Sequence, residues 1–199
     1  MTDRTAFDTA TRIAAGDDGT TYDNVAISLH WLAALLVLFQ FVTAFTWDWF
    51  SRDTSEGMQS LHVSFGILLT LVIIARVVWR LVPGHQASSL EAGWVRLASK
   101  GVHYLLYVLL VAQAILGFAI GWSAGHPIHL FGIAIPGPFG ALDRPLRHQI
   151  REIHQWVGYS IVVIAFGHAM AALYHHYALH DRVLGRMFPP ARKAEAAAG

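Results

Sequence analysis

Cysteine is absent from the 199 residues, which removes disulfides, iron–sulfur clusters, thiolate zinc sites and haem attachment through sulfur. Charge is scarce as well: Asp, Glu, Lys and Arg make up 14% of the chain, against about 25% in an ordinary soluble domain. A net charge of +1 at pH 7 supplies no broad positive field, so nucleic acid is excluded as a first expectation. Apolar residues fill the place of the missing charge, at 55% of the chain, a balance suited to lipid. Against this poverty of ionisable groups stand 12 histidines, and imidazole is the commonest metal ligand among side chains. Their positions decide what the chain can do.

Four apolar stretches, Ala26 to Trp47, Ser60 to Val82, Gly101 to Trp122 and Ile153 to Tyr174, each come near the roughly 20 residues that cross ~30 Å of hydrocarbon. They predict an all-α fold, a four-helix transmembrane bundle with helices over about 26–47, 60–82, 101–122 and 148–176. Membrane lipid is then an obligatory partner. The bundle is expected over residues 23–189, after a flexible acidic tail at 1–22 and before an Ala-rich tail at 190–199. Ten of the 14 Lys and Arg residues, among them Arg76, Arg80 and Lys100, fall on the side of the N-terminus, and Arg52, Arg144, Arg147 and Arg151 on the other. By the positive-inside rule both termini are expected in the cytoplasm, N-in and C-in. The interval from Ser123 to Leu142 has no charged residue and is expected as a loop on the outer membrane surface. Asp143 and Pro145 mark the start of the fourth helix.

Four histidines fall inside spanning stretches at depths that match in pairs, His30 with His168 toward the cytoplasm and His62 with His154 toward the outside. His154 and His168 are 14 residues apart, nearly four turns, so they leave one face of one helix about 21 Å apart along its axis. Two facing imidazoles suit the axial positions of a haem iron, and two levels imply two haem b groups. A residue four along shares the face of its histidine; these are Ala34, Gly66 and Gly158, small enough to leave room for a porphyrin. Arg76 and Arg80 lie on the His62 face at the inner level, where they can pair with propionates, and Arg147 and Arg151 can do the same outside. His103 is the second candidate for the inner ligand, though a place beside the haem or a quinone suits it better. The bland reading of any one of these histidines is a helix–helix hydrogen bond, and of the arginines, snorkelling to the headgroups.

The segments VAISLHWL, LHVSFGILLTLVIIARVVWRL, FGIAIPG and HQWVGYSIVVIAFGHAMAALYHHYALHDRVLGRMFP together resemble the bacterial cytochrome b561 family, over Tyr22 to Pro189. The resemblance implies a di-haem bundle of the bacterial inner membrane, with His30 and His168 on one iron and His62 and His154 on the other. A branch of that family oxidises superoxide at the outer haem and reduces ubiquinone. That activity makes Arg144, Arg147 and Arg151 candidate catalytic residues, drawing superoxide to the outer haem. Arg76, Lys100, His103 and Tyr104 are candidates for a quinone carbonyl. The rival expectation is a b-type anchor subunit passing electrons between quinone and a redox partner protein such as a hydrogenase. A metal transporter fits less well, because few carboxylates lie within the spans.

Overall fold

A computed structural model describes residues 23–82, 93–181 and 184–188; the tails at 1–22 and 190–199, and with them Arg4, Arg12, Arg192 and Lys193 of the orientation argument, lie outside the described residues. Helix α1 spans Asn24–Thr46 and begins where Asp23 accepts from the Ala26 backbone N–H at 2.9 Å, satisfying one of the donors a helix start leaves free. A 3-10 turn, Trp47–Trp49, leads into α2, Arg52–Leu81. Helix α3 is Gly93–Trp122 and α4 is Arg144–Tyr177, with Pro in its first turn and Asp143 capping the Leu146 N–H at 3.1 Å. A second 3-10 turn, Leu184–Met187, follows. All four helices are long and apolar enough to cross a membrane, so this is a multi-pass membrane protein.

Helices α2 and α3 each begin about eight residues before the apolar runs, and α4 about four before the expected segment. The apolar run marks only the part in hydrocarbon. The extra turns of α2 are polar and are held in solvent by local pairs such as Arg52 Nε to Glu56 Oε1 at 2.9 Å.

Sequential helices pack side by side, α1 on α2, α2 on α3 and α3 on α4, and α4 returns to touch α1. The core is small: Ala33, Leu36, Val72 and Ile73 are buried, with Phe65, Leu69 and Tyr107 packed around them. Most other large apolar side chains face outward, Leu35 at 63% and Val163 at 70% exposure among them. In water that would be an aggregation surface; in a bilayer it is the face presented to lipid.

The charge-free interval contains a hairpin, not plain loop. Strand β1, Ile128–Leu130, pairs antiparallel with β2, Ile133–Ile135, Ile128 opposite Ile135 and Leu130 opposite Ile133. Phe131 and Gly132 form its two-residue turn with φ of 46° and 92°, the positive values that a type I′ turn requires and that fit the strand twist. Ser64 of α2, 1% exposed, fastens the hairpin: its Oγ accepts from the Phe131 N–H at 3.1 Å and donates to the His129 carbonyl at 3.3 Å. Trp122 Nε1 donates to the Ile135 carbonyl at 3.2 Å. A Cβ on Gly137 would fall 2.8 Å from that indole, so only glycine allows the chain to lie against it.

Candidate haem-binding site

Two histidine pairs face each other inside the bundle. Near the hairpin, His62 of α2 and His154 of α4 have ring centroids 6.4 Å apart with planes at 72°. At the opposite end, His30 of α1 and His168 of α4 are 6.5 Å apart at 70°. The two pairs were built by different helices but share α4, whose His154 and His168 project from one side because 14 residues is nearly a whole number of turns. His103 of α3 lies 4.9 Å from His168, and its Nδ1–H donates to the Ser99 carbonyl at 2.7 Å.

Each ring has a distinct set of neighbours. Trp31 meets His30 edge-on at 5.6 Å, and Trp47 meets His62 likewise at 5.4 Å. The Gln40 amide donates to the His62 carbonyl at 2.9 Å. Gln113 Nε2 lies 3.1 Å from His154 Nε2. The Nδ1 atoms of His30 and His154 are buried with no hydrogen-bond partner among the described residues, as are Gln40 Oε1 and Gln113 Oε1. None of these contacts to glutamine or tryptophan was anticipated from sequence. The glycines four along from the hairpin-end histidines face these amides: a Cβ on Gly66 would come 2.8 Å from Gln40 Nε2, and one on Gly158 3.2 Å from Gln113 Nε2. Ala34, four along from His30, is exposed.

The cations divide between the ends. Arg76, Arg80 and His103 line a cavity of about 30 Å³ with Trp79, Tyr107 and Met187. Arg76 lies over the Tyr107 ring, 5.7 Å from its centroid. Trp31 Nε1 donates to the Met187 carbonyl at 2.8 Å, which folds the last described residues over this end of α1. Tyr107, four after His103, lines this cavity, whereas Tyr104 is 64% exposed and outside it; Lys100 is exposed too. A volume of this size holds water. At the hairpin end Arg144 and Arg151 are exposed and Arg147 is half-buried, its Nε without a hydrogen-bond partner among the described residues. Glu152 sits among them and pairs with His148 at 3.6 Å. With Asp143, Asp48, Asp53 and Glu56 also at this end, the field there is not broadly positive, and any anion attraction has to be local to Arg147 and Arg151.

The family model for prokaryotic cytochrome b561 matches residues 21–190. The chain belongs to the prokaryotic cytochrome b561 family. It is 33% identical over 177 residues to "Cytochrome b561 homolog 2" of Escherichia coli (strain K12), covering 83% of this chain and 90% of that protein. It is 30% identical over 178 residues to "Probable superoxide oxidase CybB" of Yersinia pestis, covering 86% and 97%. Cytochrome b561 proteins bind haem b and carry electrons in membranes.

The paired histidines fit that group. Imidazole nitrogens bind first-row metals at about 2.0–2.1 Å, and the ring centroid lies ~1.1 Å behind the nitrogen, so two axial rings stand roughly 6.3 Å apart. The separations of 6.4 and 6.5 Å match. The 4.9 Å between His103 and His168 is too short to span an iron, which leaves His103 beside His168 instead of opposite it.

Proposed function

We propose that this cytochrome b561 is a di-haem oxidoreductase of the bacterial inner membrane, with both termini cytoplasmic, oxidising superoxide outside and reducing ubiquinone inside. The observation that carries this reading is the pair of facing imidazoles at each of two levels of α4, both at the separation that one iron requires. His62 and His154 would hold the outer haem b, and His30 and His168 the inner one. When bound, each supplies a one-electron carrier, which matches a substrate one electron from its product.

The protein's own residues have modest tasks. Arg147 and Arg151, about two turns and one turn before His154 on α4, draw the anion to the outer level, with Arg144 at the start of the same helix. No acid or base is needed at the outer level, because each superoxide leaves as dioxygen after losing one electron. Two such events supply one ubiquinone, which takes up two electrons and two protons. Arg76, Arg80 and His103 gather where the quinone would be met, with Arg76 braced on Tyr107, and the two arginines can also pair with the inner haem's propionates. A similarity in name, the "probable superoxide oxidase" of Yersinia pestis, supports the choice of substrate. The uncharged hairpin with Phe131 and Ile133 exposed favours a second reading, an anchor subunit that docks a redox partner protein there.

Turnover by the isolated chain separates the two. Purified protein given superoxide and ubiquinone is expected to form ubiquinol at a saturable rate. A chain that carries haem yet shows no such turnover, and gains it only with a partner, sinks the enzyme reading and favours the anchor.

A further inference from the structure

Two side chains of α1 and the first of the 3-10 turn that follows it converge on a single histidine of α2. Gln40, Thr43 and Trp47 are spaced three and four apart, so they share one face. Gln40 donates to the His62 carbonyl, Trp47 walls the ring, and Thr43 Oγ1 stands 3.3 Å from His62 Nδ1. Thr43 is 7% exposed. Its hydroxyl proton is already used within α1, where Oγ1 lies 2.9 Å from the Phe39 carbonyl and 3.1 Å from that of Gln40. A hydroxyl with its one proton so engaged meets a ring nitrogen only as an acceptor. Nδ1 of His62 therefore carries the hydrogen and donates it, and Nε2 is the nitrogen with a free lone pair. Nδ1 of His30 and Nδ1 of His154, by contrast, are both buried and without a hydrogen-bond partner among the described residues.

We infer that Thr43 is a positioning residue that holds His62 in its Nδ1–H tautomer and orientation, and thereby sets the potential of the hairpin-end centre apart from that of the other. The inference rests on the proposal that His62 is a haem ligand. An acceptor on the far ring N–H makes the ligating nitrogen more basic, which favours the oxidised metal and lowers that centre's potential.

The test is a redox titration of the purified, haem-loaded protein, with low-temperature electron paramagnetic resonance to tell the two centres apart. Thr43→Val, similar in shape without the hydroxyl, is expected to keep both haems and raise the reduced-to-oxidised ratio of the hairpin-end centre roughly tenfold at a fixed poise. Its resonance signature should change while the other centre's stays. Thr43→Ala is expected to act in the same direction, and Thr43→Ser to restore both the ratio and the signature. Unmoved ratios in both Thr43→Val and Thr43→Ala, an equal shift at both centres, or a Thr43→Ser shift as large as that of Thr43→Val would overturn the inference. His62→Ala keeps the two questions separate. Full haem content in His62→Ala overturns the ligand assignment itself; loss of one haem there, with potentials unmoved in Thr43→Val, overturns only the role of Thr43.

Discussion

At the scale of single residues, what a histidine can do in this bundle depends on which nitrogen its neighbours leave free and on what stands opposite. His154 faces His62 across a gap of iron-spanning width, whereas His103 is crowded against His168. His154→Ala should therefore halve the haem content and leave one low-spin b spectrum, while His103→Ala should retain both haems; pyridine haemochrome assay and reduced-minus-oxidised spectra measure this. The arginines make a second residue-level prediction. Arg147→Glu with Arg151→Glu should slow superoxide-dependent haem reduction about tenfold, the low end of electrostatic steering, and flatten its salt dependence. Stopped-flow rates at several ionic strengths read both. The acidic neighbours at this end are the reason to expect the low end.

The histidine levels were legible in the sequence because depth within an apolar run and spacing along a helix need no knowledge of neighbours. The partners of those histidines were not. Whether Thr43, Gln40 or Gln113 meets a ring depends on how each helix is rotated about its own axis, and α1 is apolar nearly all round, so its sequence marks no preferred face. The same ambiguity put Tyr104 among the candidates and passed over Tyr107, since only the packing of α3 decides which one turns inward.

At the scale of elements, the apolar runs predicted four helices but not their full lengths, because polar turns outside hydrocarbon carry no hydropathy signal. The hairpin was hidden for another reason: its turn is Phe-Gly, and a bulky residue at positive φ is uncommon, so the usual Asn-Gly or Asp-Gly cue is missing. Ser64 supports that unusual turn. Ser64→Ala should cost about 1–2 kcal/mol through two lost hydrogen bonds, seen as a lower thermal midpoint in detergent and faster amide exchange over 128–135. Helix α4 offers a sharper prediction. One alanine inserted between His154 and His168 turns one ligand by about 100° relative to the other, so at least one haem should be lost from the purified protein. A variant with one added alanine and both haems in place would rule out α4 as the shared ligand carrier.

At the scale of the whole molecule, membrane placement follows from four outward-facing apolar helices, but their sidedness rests on a charge count in which many cations belong to the tails and loops. The lack of any native cysteine makes the orientation easy to measure. In spheroplasts, Asp53→Cys should react with an impermeant maleimide and Lys100→Cys only after lysis; the reverse pattern would invert the bundle.

One rod, α4, carries a notch for each of two levels. On the di-haem proposal, the gap an electron must jump would thereby be written as a number of peptide units, set when the chain is made and stiffened by the helix ladder. Thinning or thickening of the surrounding bilayer can tilt such a rod without changing the interval between its notches. Conduction through this bundle should keep the same pace from one lipid environment to the next.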